Sequence, residues 1–141
     1  MVTRTLVVLV VFSSVLLAQG KKSDTAVKVS ATSATAGTNR VINLTLEIDP
    51  KYYIYANPID NKDFADNQTT VTASKGKLLK VHYPKGERVP DKIVGDYSIY
   101  KGKVTIEATV EGTGPVELAI TLQACSKTSC LLPATIKVNV P

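Results

Sequence analysis

Hydrophobic and polar residues alternate along most of this chain. Val27, Val29 and Ala31 are interleaved with Lys28, Ser30 and Thr32, and Ile42, Leu44, Leu46 and Ile48 with Asn43, Thr45, Glu47 and Asp49. The same period recurs at Val104, Ile106, Ala108 and Val110, at Val116, Leu118, Ile120 and Leu122, and at Ile136, Val138 and Val140. A period of two puts alternate side chains on one face of an extended backbone, so each run predicts a strand with one buried face. Turn-forming breaks separate the runs: Ala36-Gly37, Lys75-Gly76, Pro84-Lys85-Gly86, Lys101-Gly102 and the stretch from Glu111 to Pro115. Beyond the N-terminal segment, no window sustains the helical spacing of apolar residues. Many short, half-buried strands with frequent turns predict an all-β fold, a sandwich rather than a barrel at this length.

The middle of the chain is less regular. Lys51-Tyr52-Tyr53-Ile54-Tyr55 reads as a strand ended by Ala56-Asn57-Pro58, and Asp60 to Gln68 reads as a polar loop. Thr69 to Ala73 and Lys77 to Tyr83 read as strands, Glu87 to Gly95 as irregular, and Tyr97 to Tyr100 as a strand.

The N-terminus changes the picture, because it assigns a compartment. Arg4 supplies a positive start, Leu6 to Ala18 is apolar apart from Ser13 and Ser14, and Ala18-Gln19-Gly20 offers small residues where a signal peptidase reads them. The run is short for a bilayer span of about 20 residues, which favours a cleaved signal over an anchor. The expected organisation is therefore a signal peptide over residues 1–20, cleaved near Gly20, a disordered lead-in over 21–26 and one domain over 27–141. The mature protein is expected to be periplasmic or secreted, where disulfides form. Two sequons, Asn43-Leu44-Thr45 and Asn67-Gln68-Thr69, matter only in a eukaryotic secretory pathway.

A net charge of +5, from 17 basic and 12 acidic residues, is scattered rather than clustered. Nucleic-acid binding would need basic clusters interleaved with stacking aromatics, so no nucleic acid is expected. Attraction to an anionic surface through net charge is a weaker alternative, and moderate salt would abolish it.

The two cysteines, Cys125 and Cys130, lie in one short stretch, Gln123 to Pro133, between two predicted strands. In an exported chain the default is a structural disulfide. Against that, the loop closed is short, and the chain-entropy estimate gives only about 2 kcal/mol for six residues. Cys125 also continues the polar-face positions Thr121 and Gln123, which predicts access to a partner thiol. Lys127, between the sulfurs, is placed either to stabilise a thiolate or simply to solvate a turn. The residues leave staple and redox centre both open.

Other chemistry is not supported. Two cysteines and one histidine, His82, do not supply the four ligands of a zinc site, so neither metal nor cofactor is expected. His82, between Val81 and Tyr83, reads as a surface strand residue. A Cys–His nucleophile pair has nothing but the presence of both residues in its favour. There is no C-x-x-C, phosphate loop or G-x-S-x-G.

Three segments together resemble the N-terminal extracytoplasmic domain of the thiol:disulfide interchange protein DsbD. They are Tyr52-Tyr53-Ile54-Tyr55 with Ala56-Asn57-Pro58, then Gly95-Asp96-Tyr97-Ser98-Ile99-Tyr100 with the following strand, then Gln123-Ala124-Cys125 through Cys130-Leu131-Leu132-Pro133. The resemblance runs in order over roughly Val27 to Val140. It implies an immunoglobulin-like antiparallel β-sandwich with the Cys125–Cys130 disulfide at one end, passing reducing equivalents to or from extracytoplasmic partners. It implies that Tyr53 and Tyr55 lie beside the pair, and that Ile93-Val94-Gly95 stand where the family carries a cap loop against stray oxidants. The family's cap usually bears aromatic residues, so Ile93 and Val94 imply weaker shielding. The family domain is normally fused to a membrane electron-conducting domain and a thioredoxin-like domain. This sequence ends at Pro141 with neither, so a stand-alone oxidoreductase with a separate electron donor is the expectation. Its partners would be thioredoxin-like or membrane thiol–disulfide proteins, with the membrane reached only through them. The alternative is a non-catalytic binding or interaction module with a structural disulfide.

Overall fold

The computed structural model describes residues 20–141; the predicted signal peptide lies outside the described residues apart from Gly20. Eleven strands follow a 3₁₀ turn at Ser23–Ala26: β1 (Val27–Ala36), β2 (Asn39–Ile48), β3 (Tyr53–Tyr55), β4 (Thr70–Lys75), β5 (Leu78–His82), β6 (Glu87–Val89), β7 (Tyr97–Tyr100), β8 (Lys103–Glu111), β9 (Val116–Leu122), β10 (Ala124–Cys125) and β11 (Ala134–Val140). A second 3₁₀ turn spans Lys62–Asn67. Among the described residues no helix is long and apolar enough to cross a membrane.

One layer is the sheet β1-β2-β8-β5; the other comprises β11-β9-β4 and β10-β3-β7-β6. All strand pairs are antiparallel. The fold is the predicted all-β, immunoglobulin-like sandwich. Its core is the set of residues named by the alternation: Ile42, Leu44 and Leu46 of β2, Ile106, Ala108 and Val110 of β8, and Leu118 and Ile120 of β9 are fully buried. Because strand side chains alternate, the interleaved polar residues Asn43, Thr45 and Glu47 of β2 and Thr105 and Glu107 of β8 lie on the other face, away from the core.

The second layer changes sheets at a single residue. β9 pairs with β4 as far as Thr121 and with β11 as far as Leu122, then Gln123 interrupts, and β10 pairs instead with β3. Ala124 lies opposite Ile54 and Cys125 opposite Tyr53. That switch carries the cysteines onto the small sheet. Gly86 lets the chain between β5 and β6 lie close to β7 and the end of β3, since a Cβ there would sit 2.5 Å from Ala56 Cβ and 2.9 Å from Ser98 Cβ.

Three local expectations are corrected. The strand expected from Lys51 begins only at Tyr53, because the Asp49 side chain accepts the Lys51 amide at 2.8 Å and its carbonyl accepts that of Tyr52 at 2.8 Å, closing a turn. The irregular stretch from Glu87 contains β6, paired with β7. The polar loop Asp60–Gln68 contains the 3₁₀ turn, started by Asn61, whose side chain accepts the Asp63 amide.

The segment expected as a disordered lead-in is built into the fold. The Ser23 amide donates to the Leu132 carbonyl at 2.8 Å, and the Leu132 amide donates to Lys21 at 3.1 Å. Ser23, with no exposed surface, donates its hydroxyl to the Leu132 carbonyl at 2.7 Å and accepts the Ala124 amide at 2.9 Å. A buried serine whose amide and hydroxyl are both matched in this way holds the segment by hydrogen bonding that hydropathy does not register.

Candidate redox site

The hairpin that carries the cysteines is shaped by its own hydrogen bonds. The Ser126 amide donates to the Ser129 carbonyl at 2.7 Å, while the Ser126 hydroxyl accepts the amides of Thr128 at 3.3 Å and Ser129 at 3.2 Å. The Leu131 amide donates to Ala124 at 2.8 Å, so Cys125 and Cys130 face each other as an antiparallel bridge. Their sulfurs are joined, with S–S at 2.06 Å. Gln123 braces the next turn of chain, donating to the Leu131 carbonyl at 3.1 Å and accepting from Asn67 of the 3₁₀ turn.

The two sulfurs differ in environment. Cys130 is exposed at the hairpin, whereas Cys125 is 0% exposed. This corrects the expectation that Cys125, on the polar side of its strand, is accessible. Cys125 does lie on the outer face of the small sheet, but that face is covered. Cys125, Tyr55, Ile59 and Ile99 form a buried apolar cluster, with Tyr53, Phe64, Val89 and Tyr97 packed around it.

Tyr55 is the centre of the cover. Its ring stacks on Phe64 at 6.0 Å between centroids and meets Tyr53 and Tyr97 edge-on at 5.8 and 5.9 Å. Tyr55 Oη lies 3.7 Å from Cys125 Sγ; with the sulfur in a disulfide, the hydroxyl is the group that holds a proton to donate. Burial is the largest cause raising the Tyr55 hydroxyl above the ordinary tyrosine value, as it is for Tyr53 and Tyr97. These hydroxyls therefore stay protonated, and no phenolate competes with a thiolate for the site.

The predicted site residues divide into two groups. Tyr53 and Tyr55 come together with Cys125, and Lys127 lies on the exposed side of the hairpin. Ile93 and Val94, by contrast, are 94% and 41% exposed and outside the cluster. Their turn is ordered all the same: the Asp91 side chain accepts the amides of Ile93 at 2.8 Å and Val94 at 3.1 Å, and Asn61 donates to the Val94 carbonyl at 3.0 Å. Gly95, at φ +84°, supplies the left-handed residue that closes it. Asp96 accepts the Asp91 amide and pairs with Arg88, whose hydrogen bond is the largest cause holding the Asp96 carboxyl below its ordinary value. Phe64 and Ile59 were not singled out from the sequence, and Tyr97 figured there only within the second resembling segment, with no place at the site. A lone aromatic inside a polar stretch, as Phe64 is, was the available signal.

Among the described residues no group of three or more His, Cys, Asp or Glu is placed to hold a metal ion. The site places two bonded sulfurs, one exposed and one behind aromatic rings, in a hairpin whose backbone is closed by its own hydrogen bonds.

The fold and site define a class: immunoglobulin-like β-sandwich domains that carry a cysteine pair at the edge of one sheet. The chain belongs to the family of the N-terminal domain of the thiol:disulfide interchange protein DsbD, whose profile matches residues 20–141. Among solved structures, it is similar to the reduced DsbD N-terminal domain of Neisseria meningitidis, with 20% identity, TM-score 0.54 and 79% and 83% of the two chains covered. It is also similar to the N-terminal periplasmic domain of ScsB from Proteus mirabilis, with 16% identity and TM-score 0.62, covering 82% of this chain and 46% of that one. A third similar structure is the complex between the DsbD N-terminal and PilB N-terminal domains of N. meningitidis, with 19% identity, TM-score 0.52 and 79% and 80% covered. At these identities the likeness is one of fold. No curated protein sequence matches the chain significantly.

Proposed function

We propose that this protein is an exported thiol–disulfide exchange protein whose Cys125/Cys130 pair carries two electrons to or from extracytoplasmic partners. The observation that carries the reading is the asymmetry of the pair: an exposed Cys130 joined to a buried Cys125 in a hairpin that hydrogen bonds hold independently. A staple placed there would add only about 2 kcal/mol by loop closure, to a turn already closed. Family membership supports the same chemistry.

In the reduced protein the Cys130 thiolate attacks a partner disulfide, forming a mixed disulfide and releasing one partner thiolate. The Cys125 thiolate then attacks Cys130 Sγ, re-forming the intramolecular bond and releasing the second partner thiol. Two electrons and two protons leave the protein, and the reverse sequence reduces it. The Tyr55 hydroxyl stands ready to donate to the Cys125 thiolate, and Tyr55 with Phe64 shields that sulfur from bulk oxidant. That role falls to these rings rather than to Ile93 and Val94. Lys127 contributes positive charge beside the exposed sulfur.

The domain takes in the segment from Lys21 onward, behind a signal peptide over 1–20, and works in the periplasm or an equivalent compartment. Thioredoxin-like proteins are its partners, and a membrane thiol–disulfide protein is its electron donor or acceptor. The DsbD N-terminal–PilB complex is the relative that supports a protein partner of this kind, and the periplasmic ScsB domain is one that supports the compartment. The test is thiol transfer from the reduced protein to an oxidised thioredoxin-like domain. Transfer is expected, with Cys130→Ser abolishing it and Cys125→Ser stalling at the mixed disulfide. Full turnover by either variant would overturn dithiol cycling.

A further inference from the structure

Beside the hairpin lies an open cleft of about 510 Å³. Its walls include Tyr53, Val89, Tyr97 and Ile99, the same side chains that pack around Cys125. Three lysines, Lys51, Lys101 and Lys127, line it, and no carboxylate does. Lys101 is paired with Glu87 at 3.5 Å, both side chains more than half exposed. Among the described residues neither Lys51 nor Lys127 has a carboxylate within ion-pair distance. The cleft therefore combines half-buried apolar walls with unneutralised positive charge.

Its position decides what fills it. Lys127 belongs both to the cleft and to the turn that presents Cys130, and Tyr53 is the strand partner of Cys125. Lys127 and Cys130 are both exposed on one short turn, so a polypeptide bonded through sulfur to Cys130 has residues beside its cysteine within reach of the cleft's lysine wall. We propose that this cleft is a specificity subsite for the exchange partner, taking one large apolar side chain near the partner's reactive cysteine, flanked by carboxylates that meet Lys51 and Lys127. The inference rests on the exchange reading and adds the chemistry by which a partner is chosen. Exposed charge pairs are weak singly and screened by salt, so the lysines select while the apolar walls hold.

The probes are disulfide-linked dimers of three short cysteine peptides: one with phenylalanine and aspartates near the cysteine, one with phenylalanine and lysines, and one with serine and aspartates. Each turnover oxidises the protein dithiol to its disulfide and reduces one peptide disulfide to two thiols, counted after acid quench. The acidic phenylalanine peptide is expected to react about tenfold faster than the serine peptide. It should outpace the lysine peptide by about threefold per lysine at low salt, and lose that lead at 0.5 M salt. Lys51→Glu should lower the ratio of acidic to basic peptide rates, a ratio that cancels any change in the fraction of active protein. Equal rates for all three peptides, or a ratio unmoved by Lys51→Glu, would overturn the subsite and leave the exchange reading intact. Failure to react with any peptide or with 2-hydroxyethyl disulfide would overturn both.

Discussion

Single-cysteine variants separate the two sulfurs of the hairpin and expose the physical basis of their difference. In Cys130→Ser the remaining thiol is Cys125, beneath the stacked Tyr55 and Phe64 rings. In Cys125→Ser it is Cys130, exposed at the turn. To reach the buried thiol, an alkylating reagent must wait for that cover to lift. Full burial of a side chain the size of phenylalanine is worth about 1.5–3 kcal/mol, and Phe64 is half-buried, so lifting it costs about 0.8–1.5 kcal/mol. At tenfold per 1.4 kcal/mol, Cys125 should react about 4- to 12-fold more slowly than Cys130. The assay is the rate of iodoacetamide alkylation, compared at the plateau of each pH profile, where both cysteines are thiolates and only access differs. In denaturing urea the two rates should converge. Equal plateau rates in the folded protein would refute the reasoning, because burial would then confer no protection.

The same cover makes further predictions. Phe64→Ala should destabilise the fold by about 2 kcal/mol, half the range for a fully buried phenylalanine, and bring the Cys125 alkylation rate close to that of Cys130. Ile93→Ala, at a side chain 94% exposed, should change neither; a faster Cys125 in that variant would restore the cap to the 93–95 turn. Ser23→Ala removes two hydrogen bonds at Oγ and leaves the buried Ala124 amide without its acceptor, which should cost about 2 kcal/mol in urea denaturation. A cost below about 0.5 kcal/mol would mean that the 21–26 segment is not part of the folded unit. Burial raises the hydroxyls of Tyr53, Tyr55, Tyr97 and Tyr100. Folding therefore favours their protonated form, and this stability is complete below the unfolded value of about 10 and lost as pH rises through the folded values. The urea midpoint of the oxidised protein should fall above about pH 10, less steeply in Tyr55→Phe, and an identical fall in that variant would count against the buried hydroxyl.

Strand periodicity made the long strands legible: the apolar positions named on β2, β8 and β9 are buried, Val104 alone only partly, because those strands have one face on the core and one in water. The small sheet was harder to read. β3, β6 and β10 are two or three residues long, too short for a period to register, and they carry the site. Cys125 shows the consequence. Its parity put it on the polar face, but Gln123 ends one pairing and the 3₁₀ turn at Lys62–Asn67 then roofs the face over. Nothing local to Cys125 signals a roof supplied from 60 residues upstream. Tyr53 and Tyr55 were found through a family motif, whereas Phe64 was hidden in a segment polar enough to read as loop. Ser23 was missed because its role is to match hydrogen bonds, not to bury apolar surface.

The central claim is that the Cys125–Cys130 bond is made and broken in use, and its reduction potential tests that most directly. The mature protein is equilibrated in defined thiol buffers and its free thiols are counted. A potential between about −120 and −270 mV, the span of known thiol–disulfide carriers, is the predicted result. A potential below about −300 mV would identify a permanent bridge and contradict the account.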